Sequence, residues 1–124
     1  MQTTSGTLLG GRVRYHQPVE GYRTGIEPVL LAASIQARAG HRVLEAGTGA
    51  GAGLLCLVSR VPGLSATGVE RDPAMADLAR RNAAENGFSI EIVTADVGSY
   101  ARGGAPPYDH VFANPPWHDP ASTR

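Results

Sequence analysis

Apolar residues along the chain fall into short runs that switch between strand and helix character. Val43 and Leu44 form a compact apolar pair leading into Glu45, and glycine then occupies every second position: Gly47, Gly49, Gly51 and Gly53. Leu54 to Val61 is apolar and helix-competent, and Pro62-Gly63 stops it. Leu64 to Val69 repeats the strand pattern and ends at Glu70. Asp72-Pro73 is a helix start, an N-cap followed by proline, and Met75, Leu78, Ala79 and Ala83 give that helix an apolar stripe closed by Asn86-Gly87. Ile90 to Ala95 predicts a third strand ending at Asp96. Val97 to Pro107 reads as a Gly/Pro loop with room for one helical turn. Asp109 to Ala113 is a fourth short strand running into Asn114-Pro115-Pro116-Trp117. Strands alternating with helices predict an α/β fold, a parallel sheet covered on both faces.

Upstream of this unit, residues 1–6 are polar and expected to be disordered. Thr7 to His16 predicts a hairpin turning at Gly10-Gly11. Arg12, Arg14 and His16 alternate with Val13 and Tyr15, so a strand gathers the three basic groups on one face. That face is either simply solvated or a contact for a phosphate backbone. Gln17 to Gly25 is a loop, and a helix follows from Pro28 to a stop at Gly40. The expected organisation is an N-terminal arm over 1–16 and a cofactor-binding half-domain over 17–124.

Composition narrows the picture modestly. At 124 residues the chain has room for one small core. Eleven basic and eleven acidic residues cancel, so no global field draws it to nucleic acid or membrane. The basic side chains other than histidine are all Arg, which reflects a GC-rich coding bias more than function. Cys56 stands alone, which predicts a buried, inert thiol. No apolar run approaches the ~20 residues of a membrane span, and the first residues lack signal-peptide features, so the cytoplasm is expected.

The polar landmarks share one address. Glu45 to Gly47, Glu70, Asp96 and Asn114 all fall at predicted strand carboxyl ends, where a parallel α/β sheet binds its ligand. Glycines after the first strand permit a tight turn and let a ligand lie against bare backbone, and the next helix directs free N–H groups toward it. The two oxygens of Glu70 suit a vicinal diol such as a ribose, and Asp96 can accept from the amino group of a base. Alternatively, Glu70 is an exposed strand-end charge and Asp96 caps the segment after it. In Asn114-Pro115-Pro116-Trp117, two prolines remove N–H donors and leave carbonyls free. Those carbonyls and the Asn114 side chain could hold a planar amino group while Trp117 stacks on its ring.

The strings V-L-E-A-G-T-G-A-G and N-P-P-W, with acids at Glu70 and Asp96, resemble the class I S-adenosylmethionine-dependent methyltransferases, and specifically their N-P-P-aromatic, amino-methylating branch. Gly21 to Ala33, G-Y-R-T-G-I-E-P-V-L-L-A-A, resembles the bacterial tRNA adenine-N(6) methyltransferases of the tRNA1(Val) type. The resemblance implies a Rossmann-like fold and S-adenosylmethionine as cofactor. It also implies roles. Gly47 and Gly49 would run beside the methionine portion, with Glu45 reaching its amino group, often through water. Arg23, Thr24 and Gly25 would close over its carboxylate. Glu70 would hold the ribose, and Asp96 with Val97 the adenine edge. Asn114, Pro115, Pro116 and Trp117 would grip the target base, Trp117 replacing the commoner Tyr or Phe. His118 and Asp119 read as surface loop residues.

The family's sheet has seven strands and only four are visible here, so the fold is expected to be truncated after the fourth. Its bare edge predicts self-association, and the 124-residue form is expected to methylate poorly or not at all. The favoured function is methyl transfer to an exocyclic amino group, adenine in tRNA first, with DNA adenine or a protein glutamine amide as alternatives. From other classes, a nicotinamide-dependent oxidoreductase fits G-x-G-x-x-A at Gly47, Gly49 and Ala52, and a non-catalytic cofactor-binding fragment fits the short chain. No metal is expected.

Overall fold

The computed structural model describes residues 1–20, 27–104 and 106–113. Arg23, Thr24, Gly25, Asn114, Pro115, Pro116, Trp117, His118 and Asp119 lie outside them. Two sheets are present. Strands β1 (Thr3–Leu8) and β2 (Val13–Pro18) form an antiparallel hairpin. Strands β3 (Arg42–Ala46), β4 (Ser65–Glu70), β5 (Ile90–Thr94) and β6 (His110–Ala113) form a parallel sheet in the order β5-β4-β3-β6. Helices α1 (Glu27–Ser34), α2 (Ala52–Arg60), α3 (Pro73–Glu85) and α4 (Val97–Arg102) join and cover the strands.

The order reverses at β3. The chain runs outward from β3 through α2 to β4 and through α3 to β5, then returns past β3 to β6. Right-handed crossovers put α2 and α3 on one face and α4 on the other. The alternation of elements predicts a parallel sheet, and the resemblance implies this Rossmann-like class I arrangement. The core lies between the sheet and α2: Val43, Leu54, Leu57 and Ala66 are buried with Phe112 and α1's Ala32. Cys56 is in the same layer, and burial, with Glu45 nearby, pushes its thiol up to about 11. It is therefore protonated at neutral pH, as an inert core thiol should be.

The predicted elements hold, with three differences. Residues 3–6 are paired with 15–18 as part of β1, although their polar sequence predicts disorder. The neighbouring strand supplies the reason: backbone pairing needs no apolar side chain on the outer member. Leu9, in the turn, takes a left-handed φ of 53° and still packs against the core from the hairpin's end. Second, α1 stops at Ser34, short of Gly40. Ser34 Oγ donates to the Leu31 carbonyl, and the Arg60 guanidinium donates to the carbonyls of Ala32 and Ile35. A side chain from α2 thus satisfies the helix end early. Third, the stretch after Asp96 is a six-residue helix, α4, where a loop with one turn is predicted.

The hairpin is packed into the body of the protein. Val13 and Tyr15 are buried against Ala50, Leu55, Leu78 and Ala83. Two side-chain amides then bind the backbone of β2 as a neighbouring strand would. Asn86 Oδ1 accepts from Arg14 N at 2.8 Å and its Nδ2 donates to Arg14 O at 2.8 Å. Asn82 Oδ1 accepts from His16 N at 2.9 Å and its Nδ2 donates to His16 O at 3.0 Å. One helical turn separates the two asparagines, matching the two-residue step of β2.

Candidate cofactor site at the strand carboxyl ends

The loop after β3 is shaped by three left-handed glycines, Gly47, Gly49 and Gly51, with φ of 67°, 58° and 95°. A side chain at any of them would strain the backbone. Among the described residues a Cβ on Gly47 would meet nothing within 4 Å, so they leave open space over the first turn of the loop. Helix α2 starts from Gly51 without a side-chain cap. A helix N-terminus offers its early N–H groups to a ligand, and here one of them, that of Leu54, is taken by Glu45.

Glu45 lies within the protein, 3% exposed. Thr48 Oγ1 donates to Glu45 Oε1 at 2.6 Å, and the Leu54 N–H also bonds the carboxylate. Gly53 makes the space: a Cβ there would stand 2.8 Å from Glu45 Oε2. Burial raises the Glu45 pKa from 4.5 to about 7, opposed by those two hydrogen bonds and assisted by the charge of Glu70. The folded state thus holds its proton more tightly than the unfolded chain. Stability from this group is complete below pH 4.5, declines from there to about 7, and stays reduced above. Glu45→Gln, which cannot ionise, is expected to flatten that decline and to melt several degrees above the parent at pH 8. Thermal melts at pH 4.5, 6 and 8 measure this, and parallel pH profiles would refute it.

Glu70, at the end of β4, binds the loop. Its Oε1 accepts from Gly49 N at 2.9 Å and its Oε2 from Asp72 N at 3.0 Å. Each oxygen keeps a lone pair, so the carboxylate orders the glycine turn and can still accept a diol. Asp96, at the end of β5, is the N-cap of α4: its Oδ2 accepts from Ser99 N at 3.1 Å. Its Oδ1 has no hydrogen-bond partner among the described residues. Val97 begins α4 and is 38% exposed. β6 pairs with β3 so that Ala113 stands opposite Ala46, the residue before Gly47.

The structure thus sets Gly47, Gly49, Glu70, Asp96 and Val97 at one end of the sheet and withdraws Glu45 beneath the loop. Sequence reasoning missed Thr48, 6% exposed, which fits between Glu45 and Gly68. It also missed Asn82, fully buried, whose Nδ2 donates to the Ala50 carbonyl at 2.9 Å and so anchors the glycine loop from α3. Thr48 has a local signal, a hydroxyl three residues after a buried acid. Asn82 has none.

Residues 26–124 match the methyltransferase small domain family. The chain belongs to this family. It is 32% identical over 102 residues to the tRNA1(Val) (adenine(37)-N6)-methyltransferase of Yersinia enterocolitica, covering 80% of this chain and 41% of that protein. It is 37% identical over 78 residues to the release factor glutamine methyltransferase of Rhodospirillum rubrum, covering 63% and 24%. Among solved structures it resembles TrmN from Thermus thermophilus, with TM-score 0.60 and 33% identity over 73% of this chain and 26% of that one. The T. thermophilus 16S rRNA N2 G1207 methyltransferase, in complex with AdoMet and guanosine, matches in fold with TM-score 0.74 and 24% identity over 94% and 33%. The chain therefore spans about two fifths of the Yersinia relative and about a quarter of the Rhodospirillum one.

S-adenosylmethionine is the cofactor of this methyltransferase family. The residues present fit it: open space over Gly47, a carboxylate with free lone pairs at Glu70, and an unpartnered Asp96 Oδ1 one strand further.

Proposed function

We propose that the protein transfers a methyl group from S-adenosylmethionine to an exocyclic amino group, that of adenine in a tRNA. The observation that carries the reading is the register of β6. Ala113 is level with Ala46, and N-P-P-W follows Ala113 directly in sequence. The motif therefore issues from the strand beside the glycine loop, on the side where strand order reverses.

The cofactor supplies an activated methyl on sulfonium. The protein's part is binding and alignment. Glu70 holds the ribose while its bond to Gly49 keeps the glycine turn in shape. Asp96 Oδ1 would accept from the adenine amino group of the cofactor, with Val97 beside it. Gly47 and Gly49 would leave the methionine portion uncrowded, and Arg23, Thr24 and Gly25 would close over its carboxylate. Asn114 and the Pro115 carbonyl would accept the two amino hydrogens of the target, and Pro116 and Trp117 would complete the grip on the base, with Trp117 stacking on it. These acceptors favour a tetrahedral nitrogen and stabilise its developing positive charge. A base in folded RNA reaches this site only after leaving its stack.

A second acceptor has its own support in the likeness to the glutamine methyltransferase, since a glutamine amide presents the same planar NH2. None of the described helices is long and apolar enough to cross a membrane. The deciding experiment incubates the protein with labelled S-adenosylmethionine and either tRNA or a release factor, followed by nucleoside and peptide mass spectrometry. N6-methyladenosine in tRNA, lost in Asn114→Ala, is the expected product. Methylglutamine alone overturns the tRNA reading, and no transfer to either substrate is the inactivity expected of the four-stranded form, which a tRNA-binding measurement then separates from a wrong choice of substrate.

A further inference from the structure

The outer face of the hairpin is built for an anion. Opposed residues of an antiparallel pair share a face, and the register sets Ser5 against His16 and Thr7 against Arg14. Val13 and Tyr15 between them point into the core. Two hydroxyls and the Arg14 guanidinium therefore stand together outside, with the His16 imidazole mostly covered beside them. With Glu85 they line a shallow cavity of about 300 Å³.

The charges here are unequally committed. Glu85 is the acid of this surface and is held from both sides: His16 Nε2 lies 2.6 Å from its Oε1, and Arg81 Nε donates to its Oε2 at 3.0 Å. Those two partners, His16 foremost, keep its carboxyl below the usual range, so it stays ionised and paired. His16 Nδ1 in turn meets Ser5 Oγ at 2.9 Å. Arg12 and Arg14, both exposed, have no acidic partner among the described residues. Their side chains do no structural work there: Arg14 is tied to α3 through its backbone alone.

The support behind this face is firm. The Asn82 and Asn86 amides hold β2 to α3, and Asn82 also holds Ala50 of the glycine loop. A strand bound at Arg12 and Arg14 would thus be held in fixed register with the cofactor loop.

We propose that this hairpin face is a docking surface for the phosphate backbone of the RNA substrate, with Arg14 on β2 and Arg12 in the turn just before it as its cations and Thr7 as a hydroxyl donor. The proposal rests on the tRNA reading above. A base turned out into the site stays attached to a folded RNA much larger than the pocket. Phosphate contacts at a distance then fix its orientation without reading sequence. In a protein of zero net charge, two guanidiniums with no acidic partner among the described residues, Arg14 on β2 and Arg12 in the turn before it, supply the local attraction that the whole molecule lacks.

The test is tRNA binding by fluorescence anisotropy between 50 and 200 mM salt, for the parent, Arg12→Ala, Arg14→Ala and the double variant. Arg102→Ala, on the opposite face of the sheet, is the control. Each hairpin substitution is expected to weaken binding about three- to tenfold and to reduce the log–log salt slope by about one, while affinity for S-adenosylhomocysteine and thermal midpoint stay unchanged. A double variant with the parent's slope and affinity overturns the docking surface and leaves the tRNA reading standing. A parent protein that binds no tRNA overturns both.

Discussion

Glu70→Ala is expected to weaken S-adenosylhomocysteine binding roughly a hundredfold, measured by calorimetric titration with NAD as the comparison ligand. Two effects add. The substitution removes the carboxylate that would hold both ribose hydroxyls, and hydrogen bonds to a charged group contribute about 1.5–3 kcal/mol each. It also frees Gly49 N and Asp72 N, both bound to Glu70 in the ligand-free protein, so the glycine turn loses the contact that shapes it. Glu70→Gln separates the two. Its amide oxygen can still accept from Gly49 N, but charge and one acceptor are gone, and a loss of about tenfold is expected. Asp72→Ala is the control: it removes the α3 cap, whose Oδ1 accepts from Ala74 N, at a cost of about 1 kcal/mol in stability, and leaves the ligand untouched. Full affinity in Glu70→Ala would remove Glu70 from the site, and binding of NAD in preference would reverse the choice of cofactor.

Much of this frame is legible in local sequence because its causes are local. The alternation of strand and helix, the glycine turn and the Asp72-Pro73 start each depend on residues within one turn of one another. The Asp72 side chain does cap Ala74 N as its position predicts. Asp96 carries two readings in the sequence, ligand contact and cap, and the structure supports the cap with one oxygen while leaving the other free. The failures have distant causes. α1 ends where Arg60 reaches its carbonyls, and Arg60 lies on the next helix. The first residues order because β2 offers them an edge. Glu45 looks in sequence like a ligand-facing acid at a strand end. The absence of a Cβ at Gly53, eight positions on, is what admits its carboxylate beneath the loop.

Asn82 is the residue whose loss is expected to cost the most stability, and its sequence context of R-R-N-A-A reads as ordinary helix surface. Its amide is fully buried and joins three parts of the fold: α3, the backbone of His16 in the hairpin, and Ala50 in the glycine loop. Asn82→Ala leaves one donor and two acceptors without partners. At about 1–3 kcal/mol for each unsatisfied buried group, partly relieved by entering water, a total of about 3–5 kcal/mol follows. Asn86→Ala, at the exposed end of the same clip, is expected to cost about 1–2 kcal/mol, since water replaces what is lost. Urea unfolding of both variants measures the difference, and equal costs would show that burial of the Asn82 amide is not what matters. Ligand affinity carries a second distinction. Both variants loosen β2, but only Asn82 touches the glycine loop. A fall in S-adenosylhomocysteine affinity in Asn82→Ala but not in Asn86→Ala would therefore trace to the Ala50 bond. That bond, beside the packing of Val13 and Tyr15 near Ala50, ties the helix that holds the hairpin to the glycine loop.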